Sequence, residues 1–282
     1  MKTLVTGAAG QLGAEIVRLF GERGEVVALT RRELDLTDGR AVRETVVRAR
    51  PDVVINCAAY NHVDRAEEAP EAALAVNAIA VRSLARGAEE AGAALVHYST
   101  DFVFDGTASR PYTEEDPPNP RSAYAASKLL GEWFARDVPR HYVLRVESLF
   151  GGSPRKSSVD KIFDALKDGR EARVFADRTV SPSYVEDVAR ATSSLLERGA
   201  APGLYHAVNG GLCTWLELAQ EIARILAVEP HLVPVSVADV TLTAERPQYC
   251  ALSNARLAAA GVAMPPWRDA LARHVARVTR GL

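Results

Sequence analysis

Lys2-Thr-Leu-Val-Thr-Gly7-Ala-Ala-Gly10-Gln-Leu-Gly13 carries a short apolar run straight into three glycines spaced by threes. The run predicts a first strand over 2–6, and helical periodicity begins at once behind the glycines, with Leu12, Ile16, Val17 and Leu19. Glycines between a strand and a helix permit a tight turn, let a phosphate approach the backbone, and let helix and strand pack closely. The exposed N–H groups and the helix dipole then make an anion site. The spacing is Gly-x-x-Gly-x-x-Gly, not Gly-x-Gly-x-x-Gly, and a loop that merely turns also uses glycine. Its position between strand and helix favours the dinucleotide reading.

Working outward, Glu25-Val-Val-Ala-Leu-Thr30 predicts a second strand with Arg31-Arg32 at its end. An acidic residue there holds the ribose 2′-hydroxyl of NAD, whereas arginine suits a 2′-phosphate. NADPH is therefore favoured over NADH, the alternative being two solvated surface charges. Asp35-Leu-Thr-Asp38 leads into a helix to about Arg50, and Pro51 separates it from the strand Asp52–Ala59. Pro70 opens a long helix on which Asn77 is either a core-facing hydrogen-bonding group near the site or a solvated residue. Strands over 94–104 and 141–147 flank a helix over 122–138. Strands alternating with helices at this spacing predict a doubly wound parallel α/β sheet. In such sheets ligands bind beyond the carboxyl ends of the strands, so Gly7, Ala59, Thr100 and Ser148 are expected to converge on one crevice.

Tyr124 and Lys128 are an i, i+4 pair on the 122–138 helix. A phenol ordinarily titrates near ~10, and an ammonium beside it favours the phenolate. The pair is thus a tunable proton donor and acceptor, with the Thr100 hydroxyl available to polarise a carbonyl oxygen. Alone, a Tyr-x-x-x-Lys is a common surface pattern; its place after the predicted dinucleotide half gives it weight.

Behind Gly151 the pattern loosens into a loop at 152–158, a helix to Asp168, a strand near 173–176, and a helix entered from Ser181-Pro-Ser183. A strand at 204–208 returns to the main sheet, and short helices surround a strand at 232–237. The expected division is a dinucleotide-binding domain of 1–148 plus about 179–208, and a smaller substrate-binding lobe of about 149–178 plus 209–282. With 282 residues, 48% hydrophobic and 25% charged, the chain has an ordinary globular composition. A net charge of −2 supplies no basic field for nucleic acid. Cys57, Cys213 and Cys250 are scattered, so neither a disulfide framework nor a zinc site is indicated. No run approaches the ~18 apolar residues of a membrane span and no signal peptide is evident, so a cytoplasmic protein without membrane contact is expected.

In this order and spacing the motifs resemble those of extended short-chain dehydrogenases/reductases, and more narrowly the dTDP-4-dehydrorhamnose reductase family. The resemblance runs from Thr6-Gly-Ala-Ala-Gly-Gln-Leu-Gly13 to Pro266-Trp-Arg-Asp-Ala-Leu271. Between lie Ala58-Ala-Tyr60, Val63-Asp-Arg-Ala-Glu67, Tyr98-Ser-Thr-Asp-Phe-Val-Phe-Asp-Gly106, Tyr124-x-x-x-Lys128-x-x-Gly131-Glu132, Ser181-Pro-Ser183 and Arg246-Pro247. It implies that Gly7, Gly10, Gln11, Leu12 and Gly13 line the pyrophosphate, Asp35 and Leu36 the adenine, and Ala58, Ala59, Tyr60 and Asn61 the cofactor's centre. Thr100, Tyr124 and Lys128 become the catalytic set. Asp101, Phe102, Glu147, Leu149 and Arg246 border the sugar nucleotide beside Thr100 and Tyr124. The implied reaction is NADPH-dependent reduction of the C4 ketone of a dTDP-linked 6-deoxy sugar.

Two departures stand out. Where the family has Arg-x-Ser-Trp, Arg145-Val-Glu-Ser-Leu149 is read as putting Leu149 at the Trp. Glu147 brings a carboxylate that either accepts from sugar hydroxyls or sits solvated on the rim. Some members bridge a homodimer through Mg²⁺ held by glutamates; Glu15 and Glu186 are candidates, yet no glutamate follows Glu245. The competing readings are an epimerase or dehydratase of the superfamily, which retains NAD, and a non-catalytic relative resembling the regulatory subunit of methionine adenosyltransferase. Arg31-Arg32 weighs against the first and the intact Thr100, Tyr124 and Lys128 against the second.

Overall fold

A computed structural model describes residues 1–281. Six strands make one parallel sheet: β1 (Lys2–Thr6), β2 (Glu25–Leu29), β3 (Val53–Asn56), β4 (Ala94–Thr100), β5 (His141–Val146) and β6 (Gly203–His206). Their spatial order is β6-β5-β4-β3-β1-β2. The chain leaves β1 for β2 on one side and then crosses to β3 on the other, so the winding reverses between β1 and β3 and opens a crevice there.

Successive side chains of a strand point to opposite faces, and the sequence fills both. Val5, Ile55, Val96 and Leu144 pack with Ile16 and Phe20 of α1 (Gln11–Gly21). Leu4, Val54, Leu95 and Val143 face the other way, onto Val42 and Val46 of α2 (Gly39–Ala49) and Val81 and Leu84 of α3 (Ala80–Glu90). Burial on both faces explains the unbroken apolar strands. Helix α4 (Ala123–Ala135), which carries Tyr124 and Lys128, lies on this second side through Ala135, and α5 (Val185–Glu197) joins α1 through Val188 and Leu195.

Two strands end earlier than the sequence predicts, for the same reason. The Asn56 side chain accepts the Ala58 N–H at 3.1 Å, and Thr100 Oγ1 accepts the Phe102 N–H at 3.2 Å. Each side chain turns the backbone out of the ladder where the site begins.

The smaller lobe is built on three two-stranded pairings: Ala172–Phe175 with Leu232–Val235, Thr179–Val180 with Cys213–Thr214, and Leu149–Phe150 with Ser183–Tyr184. Its core gathers Phe150, Phe163, Leu218, Ile222, Trp267 and Leu271. Helices Ser158–Lys167 and Trp215–Leu226 start with reciprocal capping boxes, Ser157 with Asp160 and Thr214 with Glu217. Leu257 and Val262, far along the chain, pack in the core of the large sheet. Among the described residues no helix is long and apolar enough to cross a membrane.

Candidate active site

The turn shows why Gly7 and Gly13 carry no side chain. Gly7 has φ +69°, and a Cβ there would come within 2.6 Å of the Ala58 nitrogen. A Cβ on Gly13 would lie 2.1 Å from the Gly7 carbonyl, so α1 and the turn could not approach as they do. Gly10 caps α1 without a side-chain hydrogen bond, leaving the first turn's N–H groups directed outward. The Gln11 amide donates to the Gly151 carbonyl at 2.9 Å and ties the turn to the segment behind β5. Leu12 is buried in the core.

The Ala8 N–H donates to Leu29 at 3.2 Å, which brings the end of β2 beside the turn. Arg31 and Arg32 follow that end, both exposed. Asp35 is exposed and accepts the Thr37 N–H and hydroxyl, bonds that draw its carboxyl below the usual range. Leu36 packs, half-buried, against the cluster holding Leu34 and Val42. Ala58, Ala59 and Tyr60 are half-buried behind β3, with Asn61 exposed. A helix start without a side-chain cap, a turn with no room for a Cβ at Gly7 or Gly13, and two exposed arginines at the next strand end fit a dinucleotide with a 2′-phosphate.

Asn77, left open by the sequence, is fully buried. It sits in a π-helical turn, Ala75–Ile79, ahead of α3; such turns are frequent at functional sites. Its amide accepts the Tyr60 N–H at 2.8 Å and donates to the Tyr60 carbonyl at 3.1 Å and Ser127 Oγ at 3.0 Å. One side chain thus locks the loop behind β3 to the catalytic helix. Gly131 makes this possible, since a Cβ there would meet the Asn77 carbonyl at 2.1 Å. Glu132 then fixes α4 to β5 through a buried bidentate pair with Arg145, both contacts 2.8 Å.

Tyr124 and Lys128 are both buried, on the first turns of α4. Tyr124 packs edge-on to Phe102, ring centres 5.8 Å apart. Burial and the adjacent Asp101 push its phenol up, and Thr100 pulls it partly back. The sequence reading put Lys128 beside the phenol to lower it. The ammonium instead donates to the Tyr98 carbonyl at 2.6 Å. Burial lowers Lys128 to about 8, against smaller opposing effects of Glu132 and Cys57. A phenol held protonated is suited to giving a proton to a reacting oxygen.

Beyond Thr100 the structure assembles a charged cluster in which Asp101, Glu147 and Arg246, named from the sequence, are joined by Arg178 and Cys250, which were not. Thr100 Oγ1 donates to Asp101 Oδ1 at 2.9 Å. Glu147 is 2% exposed, which excludes the solvated-rim reading, and its Oε2 accepts the Ser181 N–H at 2.6 Å. Arg178 lies over the Phe102 ring at 5.3 Å, and its Nε donates to the Pro247 carbonyl at 3.1 Å. Arg246 approaches the same ring at 5.9 Å and pairs with Asp64 at 2.8 Å. Phe102 is therefore flanked by two guanidinium groups. Nothing in the local spacing marks Arg178 or Cys250; both reach the site by tertiary folding.

Leu149 requires a correction. Its side chain packs against the core of the large sheet, which makes it a poor plate for a sugar. Counted from Arg145, the Trp position of Arg-x-Ser-Trp falls on Ser148, whose φ of +45° turns the chain out of β5. The glutamates named for a bridging Mg²⁺ are likewise engaged. Glu15 is buried against Arg18 at 2.6 Å, and Glu186 meets Arg190 at 2.5 Å and Arg277 at 3.7 Å. Carboxylates already neutralised by arginine do not fit a divalent cation, and no step is assigned to one.

A doubly wound dinucleotide fold, with a buried Tyr-x-x-x-Lys on the helix behind β4 and a threonine at that strand's end, defines an extended short-chain dehydrogenase/reductase. Residues 1–280 match the RmlD substrate binding domain family, and the chain belongs to it. The dTDP-4-dehydrorhamnose reductase of Streptomyces griseus is 41% identical, covering 95% of this chain and 91% of its own. A crystal structure of a dTDP-4-dehydrorhamnose reductase from Clostridium acetobutylicum superposes with a TM-score of 0.93 at 34% identity, covering 99% and 100% of the two chains. The Bacillus anthracis enzyme, solved in complex with NADP, gives 0.92 at 33% identity over 97% and 98%.

Proposed function

We propose that the protein is an NADPH-dependent reductase of the C4 ketone of a dTDP-linked 6-deoxy sugar, with dTDP-4-dehydro-L-rhamnose its substrate. The observation that carries this reading is the buried Thr100–Tyr124–Lys128 set at the mouth of the dinucleotide crevice. Full-length kinship with enzymes of that name, one of them solved with NADP, supports the choice of cofactor and ketone.

When bound, the nicotinamide supplies the hydride. The chain's residues do the rest. The glycine turn and the start of α1 receive the pyrophosphate, and Arg31 and Arg32 the 2′-phosphate. Tyr124 protonates the carbonyl oxygen as charge develops on it. Thr100, at the end of β4, polarises the same oxygen. Lys128 holds the nicotinamide ribose and keeps a positive charge near the developing phenolate. Arg246, beside Phe102, offers positive charge to the nucleotide's phosphates.

The test is NADPH oxidation with and without enzymatically generated dTDP-4-dehydro-L-rhamnose, the product identified by its sugar configuration. Sugar-dependent oxidation yielding dTDP-L-rhamnose is expected. Oxidation only with a different nucleotide sugar would reject the substrate and keep the reductase chemistry; none with any keto sugar would reject both.

A further inference from the structure

Asp101, Glu147 and Cys250 come from three distant parts of the chain, yet one ligating atom of each lies within 4.8 Å of the others, all three buried. Among the described residues, Asp101 Oδ2 and Glu147 Oε1 have no hydrogen-bond partner. A buried, unpaired carboxylate oxygen is costly, and two ionised carboxylates this close in a dry site repel strongly. A cation would relieve them, but the Arg178 guanidinium already stands in the cluster and disfavours a second positive charge. A single proton relieves them as well. It removes one of the two like charges.

We propose that Asp101 and Glu147 keep one proton between them at neutral pH, and that this proton, passed through Thr100, restores the Tyr124 phenol after each reduction. The second half rests on the reductase reading above; the first does not. Burial and the neighbouring Asp101 push the Glu147 carboxyl well up, while burial against the pull of Arg178 raises Asp101 to about 6. Whichever carboxyl holds the proton, the one remaining negative charge is matched by Arg178. The other groups facing the pair are the Tyr124 phenol, the Tyr249 phenol and the Cys213 and Cys250 thiols, all pushed up and neutral.

The steps balance. The Tyr124 O–H bond breaks as its proton joins the carbonyl oxygen. The phenolate takes the Thr100 hydroxyl proton, and Thr100 takes one from the pair through Asp101, 2.9 Å away. The pair regains a proton from water. Asp101 and Glu147 are thus positioning residues that act through Thr100. Turnover should fall as rising pH strips the shared proton.

Glu147→Gln tests the idea, because the amide carbonyl still accepts the Ser181 N–H while the side chain no longer titrates. Asp101, which burial raises to about 6 against the pull of Arg178, is then the only carboxyl of the pair left to hold the proton. The alkaline limb of kcat should move toward acid by about one pH unit or more, about a tenfold loss at pH 8 relative to pH 6. A loss uniform across pH would mark a structural role only and overturn the relay. Infrared difference spectra of the unmodified protein give a reading independent of turnover and of whether the variant folds. A carboxylic-acid carbonyl stretch at neutral pH supports the shared proton, and Glu147→Gln should remove it; absence of the band overturns it. Should the parent reduce no keto sugar while the band persists, the reductase reading falls and the shared proton stands.

Discussion

The two ends of the crevice are made of different material. The cofactor end is backbone, one unbroken stretch from Gly7 to Gly13 whose requirement is the absence of atoms, down to 2.1 Å between a Gly13 Cβ and the Gly7 carbonyl. The substrate end is side chains, with Asp101, Glu147, Arg178 and Cys250 delivered by four segments and bound by charge balance. A backbone site fails when something is added; a side-chain site fails when a charge or proton is removed.

The sharpest form of that contrast is Tyr124→Phe, which takes one proton from the substrate end and touches nothing in the turn. The ring still packs on Phe102, so NADPH binding should persist. Removing a general acid costs about 10²–10⁴-fold, and kcat should fall by that much. A variant within threefold of the parent would mean that Tyr124 is not the acid.

Gly13→Ala probes the opposite end by adding one methyl where the backbone leaves no room. Forcing an atom into a packed site costs about 1–3 kcal/mol, so the melting temperature should drop and NADPH binding weaken together. With substrate saturating and the cofactor forced on by excess, the pH profile should keep its shape. Unchanged stability and NADPH affinity would show that the turn yields easily and that its glycines are not required by space.

The same difference explains what the sequence made legible. The turn, the six strands and the Tyr124–Lys128 pair are local patterns, where period and spacing within a dozen residues carry the structural reason. Asn77 was a choice between two environments that only the fold could make, because its partners, Tyr60 and Ser127, lie 17 and 50 residues away. Glu147 was noticed as an unusual carboxylate, but its burial depends on Ser181 and Arg178 arriving from the other lobe. The Trp position was placed one residue too far, on Leu149, because the turn at Ser148, with φ +45°, is not visible in the sequence. Asn56 was passed over as part of an apolar strand. Its amide joins the Thr6 hydroxyl on β1 at 2.7 Å to His97 on β4 at 3.0 Å, a polar link across three strands.

A smaller effect is expected from Arg31→Ser with Arg32→Ser. Both side chains are exposed, so the charge-assisted hydrogen bonds they offer a 2′-phosphate are discounted by solvent. One such bond is worth about 1.5–3 kcal/mol, and the NADPH over NADH preference in kcat/KM should fall about tenfold. The Tyr124 chemistry should be untouched, with kcat on saturating NADPH little changed. An unaltered preference would assign the 2′-phosphate to other groups.

The smallest expected effect bears on whether the substrate end continues to Arg246. Asp64 is 45% exposed, and its pair with Arg246 sits at the edge of the cluster. Exposed pairs contribute about 0.2–1 kcal/mol, so the carboxylate serves mainly to aim a guanidinium that would otherwise sweep solvent. Asp64 also accepts the Ala244 N–H at 3.0 Å, the leading cause of its lowered carboxyl. Asp64→Asn keeps an acceptor for that N–H and removes only the charge. If Arg246 meets the sugar nucleotide, KM for that substrate should rise about two- to fivefold, in line with an exposed pair, with kcat and NADPH affinity little altered. The same substitution made on top of Arg246→Met should then have almost no further effect, because the group it aims is already gone. Equal effects of Asp64→Asn with and without Arg246 would show that Asp64 acts through the Ala244 backbone, and the substrate end of the crevice would stop at Arg178.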